Sequence, residues 1–238
     1  MNKYLRSGLV WPKSTTNTGV LHAGQDTQSK AIPVGRPIVC GSGGPTERIS
    51  NFGNSLLQPI AQKQEPYIKD TVHFINCIEN TPLPEAAIVA TLDVCSLYTH
   101  IPQDEGIKIV CRFYEEHYQS NLSIPTQLFT DLMRLILTEN SLKFNDKHYL
   151  EIYDIAVGTK MAVTFSVIFI PHIKKQLLNA SPYKPFLWKR FIDDIVLMWS
   201  ISETEIKNFI DFANPFHATI KFTHEMSSKQ IVFLDTIH

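Results

Sequence analysis

Three aspartates stand where a divalent cation could be held: Asp193 and Asp194 are adjacent inside FIDDIVLMW, and Asp93 closes the apolar run AAIVATL. Apolar residues on both sides of Asp193-Asp194 would bury the strands, and two neighbouring carboxylates in such surroundings are costly unless a cation neutralises them. Magnesium suits this donor set, because it takes oxygen ligands and keeps waters and substrate phosphates. One carboxylate of the pair and one from another strand could bridge two ions about 3.5–4 Å apart, the arrangement of two-metal phosphoryl chemistry. Acidic pairs are common in turns for reasons of backbone geometry alone, so the surroundings decide what this one means.

The elements that must position these residues follow from periodicity. Residues 86–92 read as a short buried strand delivering Asp93 at its end. Residues 186–200 carry two β-type runs separated by Asp193-Asp194, the pattern of a hairpin with acids at its tip. Helices are expected over 103–119 and 125–139, the second opening at Pro125. A mostly apolar helix over 160–179 should be kinked or ended by Pro171, at a cost of about 3 kcal/mol if the proline is internal. Residues 45–78 suggest two helices broken by Pro59 and Pro66, and 141–155 a hairpin turning at Asn145-Asp146. A helix over 202–213 and strands over 219–224 and 230–237 complete the pattern. Residues 1–35, rich in Ser, Thr, Gly and Gln, read as irregular or extended. This mixture of hairpins and helices predicts an α+β fold.

With 238 residues, 44% apolar and 11% aromatic, the chain can bury a substantial core, which excludes a disordered polar segment. Its longest largely apolar stretch, residues 161–170, is half the ~20 residues needed to span a bilayer, and MNKYLRSG lacks a signal-peptide core, so an intracellular protein is expected. The four cysteines, Cys40, Cys77, Cys95 and Cys111, form no CxxC pair and point to reduced thiols.

A net charge of −1 argues against binding polyanions by overall charge, but the distribution is uneven. Residues 1–46 hold five Lys or Arg against Asp26 alone, and the stretch between Asp154 and Asp193 holds six with no acid. From the second stretch, Lys160, Lys174, Lys175, Lys189 and Arg190 are the candidates for nucleic-acid contact.

Read in order, DVCSLYTHIPQDEGI, AVGTKMAVTFSVIF, WKRFIDDIVLMW, TIKFTHE and FLDT resemble successive palm motifs of Penelope-like retroelement reverse transcriptases. Upstream, GRPIVCGSGGPTERISNF and YIKDT resemble the fingers segment of that family, so the likeness covers residues 35–238. The resemblance implies a right-hand polymerase fold, with an antiparallel palm sheet on helices. Residues 36–238 would be the fingers and palm, ending before the thumb.

It also implies an RNA-directed DNA polymerase acting on deoxynucleoside triphosphates and a primed RNA or DNA template, with no membrane partner. Such an enzyme would work in the nucleus when its target is chromosomal DNA. Asp93, Asp193 and Asp194 would be the catalytic residues holding two Mg2+ ions. Tyr98 would lie beneath the incoming sugar and Gly158 would approach the nascent base pair. Arg36 would meet the triphosphate, and Lys221 would stand where a lysine can protonate pyrophosphate. The chain departs from the family pattern at Val163, Phe165, Ser166, Val167 and His100. These departures leave open a second reading, a catalytically inactive remnant that binds nucleic acid. A P-loop phosphotransferase is excluded, since no GxxxxGK[ST] loop occurs.

Overall fold

The computed structural model describes residues 9–10, 19–25, 35–39, 44–64, 67–82, 84, 87–144, 147–151, 155, 158–228, 230–234 and 236–237. In chain order, the first elements are β1 (Leu9–Val10), β2 (Gly19–Gln25), β3 (Gly35–Val39), α1 (Glu47–Gln62), α2 (Thr71–Glu79) and β4 (Ile88–Val94). Next come the single-turn α3 (Leu97–His100), α4 (Gln103–Tyr118), α5 (Thr126–Thr138), β5 (Asn140–Phe144), β6 (Lys147–Glu151) and α6 (Lys160–Ala180). The last are β7 (Leu187–Phe191), β8 (Asp194–Trp199), α7 (Glu203–Phe216), β9 (Phe222–Ser227), β10 (Val232–Phe233) and β11 (Thr236–Ile237). They divide into two compact units, residues 1–61 with 101–166 and residues 62–100 with 167–238.

The first unit holds a sheet of order β1-β6-β5-β2-β3, in which β2 runs antiparallel to β3 and parallel to β5. Two strands, β1 and β2, therefore lie within the stretch read from sequence as irregular or extended. The expected hairpin is present as β5 and β6, while its Asn145-Asp146 turn lies outside the described residues. Helices α4 and α5 pack through Tyr114 stacked on Phe129 at 4.2 Å, and the Tyr114 hydroxyl donates to the Ile124 carbonyl. Cys111 lies in the same layer. Burial pushes its thiol up, so it is a packing residue rather than a nucleophile.

Gly106 of α4 lets a helix pass close to an aromatic ring. A Cβ there would fall 2.6 Å from Cε1 of the fully buried Phe165. Replacing glycine by alanine inside a helix ordinarily stabilises by about 1 kcal/mol. Here overpacking of about 1–3 kcal/mol opposes that gain. Gly106→Ala is accordingly expected to lower the thermal unfolding midpoint, and Phe165→Leu in the same chain to recover most of the loss. A rise in midpoint on Gly106→Ala would refute this packing account.

The second unit is built on an antiparallel sheet of order β7-β8-β4-β9. Alternation along β8 sends Val196 to one face and Trp199 to the other. On the first face Ile68, Phe74, Val196 and Phe233 form a cluster joined by Val89 and Phe191. On the second, Trp188 and Trp199 meet Phe209 of α7 at ring distances of 6.4 and 4.9 Å. Covering both faces buries every residue from Ile195 to Trp199, which is why that stretch is uninterruptedly apolar. Helix α7 begins with a capping box: Ser202 accepts from the Glu205 amide, and the Glu205 carboxylate accepts from the Ser202 amide. Glu205 is correspondingly held below the usual carboxylate range by Ser202.

Pro59 and Pro171, expected to break or end helices, do not end them, Pro66 lies outside the described residues, and Pro215, for which no break was expected, is also internal to a helix. Pro59, Pro171 and Pro215 lie inside α1, α6 and α7. Each helix keeps a buried apolar face on which the proline turn rides, such as Leu56, Leu57 and Ile60 in α1. That burial offsets one missing hydrogen bond. In α6 the carbonyl freed by Pro171 is that of Val167, which accepts instead from Nη2 of Arg190 at 3.1 Å. Strand β9 starts at Phe222 and not at 219, because the amides of Thr219 and Ile220 donate to Nδ1 of His217. Residues 230–237 split into β10 and β11, with Leu234 turning at φ +49°. Among the described residues no helix is long and apolar enough to cross a membrane.

Candidate active site

The three aspartates all belong to the second unit, and strand pairing brings two of them face to face. In the β4–β8 ladder Asp93 is directly opposite Asp194, and on its other side it faces Thr223 of β9. Residues opposed in an antiparallel pair present their side chains on one face with Cβ atoms about 4.5–5.5 Å apart. Asp193 occupies the two-residue tip between β7 and β8, and its carbonyl accepts from the Val94 amide at 3.1 Å. The tip is thereby tied to the end of the strand that carries Asp93. Ile192, the other tip residue, has φ +52°, a left-handed conformation that a β-branched side chain resists.

The electrostatics record the crowding. Asp194 is pushed up to about 6 by burial, by Asp193 and by Asp93. From pH 4 to pH 6 the folded chain therefore holds a proton that the unfolded chain, with Asp194 near its ordinary 3.8, has released. Stability of the metal-free protein is expected to fall as pH rises through that window and to level off above it. Solvent screening of this half-exposed group keeps the amplitude below what the full shift would give. Denaturant midpoints measured across pH 4–7 test this; a slope unchanged by Asp194→Asn would refute it.

As donors the three carboxylates fit magnesium, being hard oxygen ligands. They do not form a closed cage. Among the described residues no group of three His, Cys, Asp or Glu is gathered tightly enough to hold an ion alone. Magnesium often takes only one or two carboxylates and completes its shell with water and substrate phosphates.

Tyr98 lies in α3, half-buried, just after a turn in which Ser96 takes φ +46°. That turn is fastened by the Ser96 carbonyl, which accepts from Thr99 Oγ1 at 2.9 Å, and by Thr219 Oγ1, which donates to the His100 carbonyl.

Two sequence-based assignments need correction. Arg190 is only 1% exposed, and it donates to the carbonyls of Ile192 and Val167, so its charge is turned inward and away from any surface polyanion. Burial pulls its guanidinium down to about 10, with Tyr67, Asp193 and Tyr98 opposing the fall, so it stays charged at neutral pH. Lys221 donates from Nζ to the carbonyls of Asn214 at 2.6 Å and His217 at 2.8 Å. It closes the C-terminal end of α7, where a cation is favoured, rather than standing free to protonate pyrophosphate.

The remaining candidates fall on several elements of the two units. Lys174 stands over the Trp188 ring at 5.4 Å, Lys189 is half-buried, and Lys160 and Lys175 are exposed. Arg36 lies in β3 opposite Gly24. Gly158 and Lys160, in the first unit, line a small cleft with Thr46, Glu47, Ser50, Asn51 and Thr159. There Ser50 Oγ and Asn51 Oδ1 are buried without a hydrogen-bond partner. Reading periodicity alone could not single out Ser50 and Asn51, although both fall within the PTERISNF motif.

No protein-family model matches the chain, and no curated protein matches its sequence significantly. Solved structures do match. Telomerase from Candida albicans, in complex with the TWJ fragment of telomeric RNA, superposes with a TM-score of 0.69 at 11% identity, covering 98% of this chain and 46% of that one. Apo telomerase from Candida tropicalis gives 0.67 at 11% identity, covering 98% and 49%. The BmCPV RNA-dependent RNA polymerase at its elongation state gives 0.65 at 12%, covering 99% and 21%. The chain spans about half the length of the telomerases and a fifth of the viral polymerase. At such identities the likeness establishes architecture: this is an α+β polymerase palm-and-fingers fold.

Proposed function

We propose that the protein is an RNA-directed DNA polymerase of the Penelope-like retroelement type, intracellular, and nuclear when its target is chromosomal DNA. The observation that carries the proposal is the β4–β8 register, which sets Asp93 opposite Asp194 with Asp193 at the adjoining tip. Asp93, Asp193 and Asp194 would hold two magnesium ions, which when bound supply activation of the primer 3′-hydroxyl and neutralisation of the departing pyrophosphate. The chain's own contribution is positional. The ladder fixes Asp93 against Asp194, and the half-buried Tyr98 ring would exclude a ribose 2′-hydroxyl. Gly158 offers backbone without a side chain to a base pair. Arg36 supplies a forked cation for the triphosphate, and Lys160, Lys174, Lys175 and Lys189 meet the template-primer backbone.

The test is primer extension on an RNA template with deoxynucleoside triphosphates and magnesium, with Asp193→Asn as control. Extension that disappears in the control supports the reading. The engagement of Lys221 by the end of α7 favours a second reading, a remnant that binds nucleic acid without polymerising. Template-primer binding by the chain with no extension would select that reading over the first.

A further inference from the structure

Arg190 is a fully enclosed cation outside the candidate catalytic set, and its two carbonyl partners lie on different elements. Nη1 donates to the carbonyl of Ile192, the tip residue with φ +52°, and Nη2 to the carbonyl of Val167 in α6. Val167 has that carbonyl to offer because the residue four positions on is Pro171, which has no N–H to occupy it. The backbone of Arg190 is fixed as well, since its carbonyl accepts from the Ile68 amide at 2.7 Å. The guanidinium is thus anchored at its own backbone and at a helix, and the remaining arm reaches the strained residue beside Asp193.

A left-handed isoleucine persists only where its surroundings over-determine it. Here the bond from Arg190 fixes the direction of the Ile192 carbonyl, and hence the peptide plane leading into Asp193. A planar fork can satisfy two carbonyls in different directions; a single ammonium cannot do so with the same geometry. The proline and the arginine act together: one leaves a carbonyl open inside a helix and the other uses it as a fixed point.

We infer that Arg190 is a positioning residue for the acidic tip, using the Val167 carbonyl freed by Pro171 to hold Ile192 left-handed and so aim Asp193 and Asp194. The inference rests on the metal-binding reading of those aspartates. It is separated from that reading by measuring Mn2+ binding directly, by electron paramagnetic resonance titration of the intact chain without nucleotide or template.

Wild-type protein should bind Mn2+, and Asp193→Asn should bind it more weakly; absence of any difference between them rejects the metal reading itself. Given that difference, Arg190→Met and Arg190→Lys should each weaken Mn2+ binding by about 10- to 100-fold, the usual scale for residues that orient metal ligands. Adding Ile192→Gly to either variant should restore much of the affinity, because glycine adopts a positive φ without help. A residue that merely filled the core would show no such rescue. Mn2+ affinity unchanged in a folded Arg190→Lys protein overturns the inference, as does lost affinity that Ile192→Gly leaves unrestored. Should Arg190→Met fail to fold, Arg190→Lys decides. Loss of cooperative folding in both, judged by circular dichroism melting, overturns it too and assigns Arg190 to the core as a whole.

Discussion

Asp194→Asn should abolish primer extension while leaving a metal-free chain that is folded and, above pH 6, more stable than the wild type. Both halves follow from one ladder position. Asp194 faces Asp93 across the β4–β8 pair and is pushed up to about 6 by burial and by its two acidic neighbours. An amide of the same shape removes a charge that opposes folding, so the denaturant midpoint at pH 7 should rise. On the proposed reading the same change removes a carboxylate that would hold an ion supplying several kcal/mol of charge stabilisation. At about 1.36 kcal/mol per tenfold in rate, extension should fall by about three orders of magnitude. Extension at the wild-type rate would end the catalytic assignment, and an unchanged midpoint would end the electrostatic one.

Tyr98→Ala is expected to shift sugar preference by about 10- to 100-fold, the discrimination that one steric element in a pocket commonly supplies. The ring is half-buried in α3, and the preceding turn is pinned through Ser96, Thr99 and the His100 carbonyl, so it has little room to yield to an added hydroxyl. Specificity is a ratio, so the quantity to measure is kcat/KM for a ribonucleotide over that for the matching deoxynucleotide. Tyr98→Phe keeps the ring and should leave the ratio unchanged. A ratio that stays constant in Tyr98→Ala would return Tyr98 to the status of a packing residue.

The palm elements were legible because local signals agreed. The apolar run before Asp93 and the paired runs around Asp193-Asp194 have strand length and composition, and they form β4, β7 and β8. The helices α4, α5 and α6 were legible from their long periodic faces. Sequence misled where one residue was given more weight than a whole face: Pro59 was read as a break and Pro171 as a kink or end, yet α1 and α6 continue through them, burial of the surrounding turns outweighing a single lost N–H. The parallel pairing of β2 with β5, some 120 residues apart, carries no local trace. Arg190 and Lys221 were misassigned for a related reason. Composition shows that a cation is present, while only packing shows which way it points, and both point to main-chain carbonyls.

The position of β4 in its sheet has an evolutionary consequence. It is paired on both edges, to β8 and to β9, and its side chains alternate between a buried apolar row (Ala90, Leu92, Val94) and the row that ends in Asp93. Losing one codon between residues 88 and 92 would advance Asp93 by about 3.3 Å and invert it to the opposite face, driving a carboxylate into the apolar layer. Drift in this gene can therefore exchange residues along β4 but cannot change its length. A frame-preserving deletion in this strand should thus mark a chain that no longer folds.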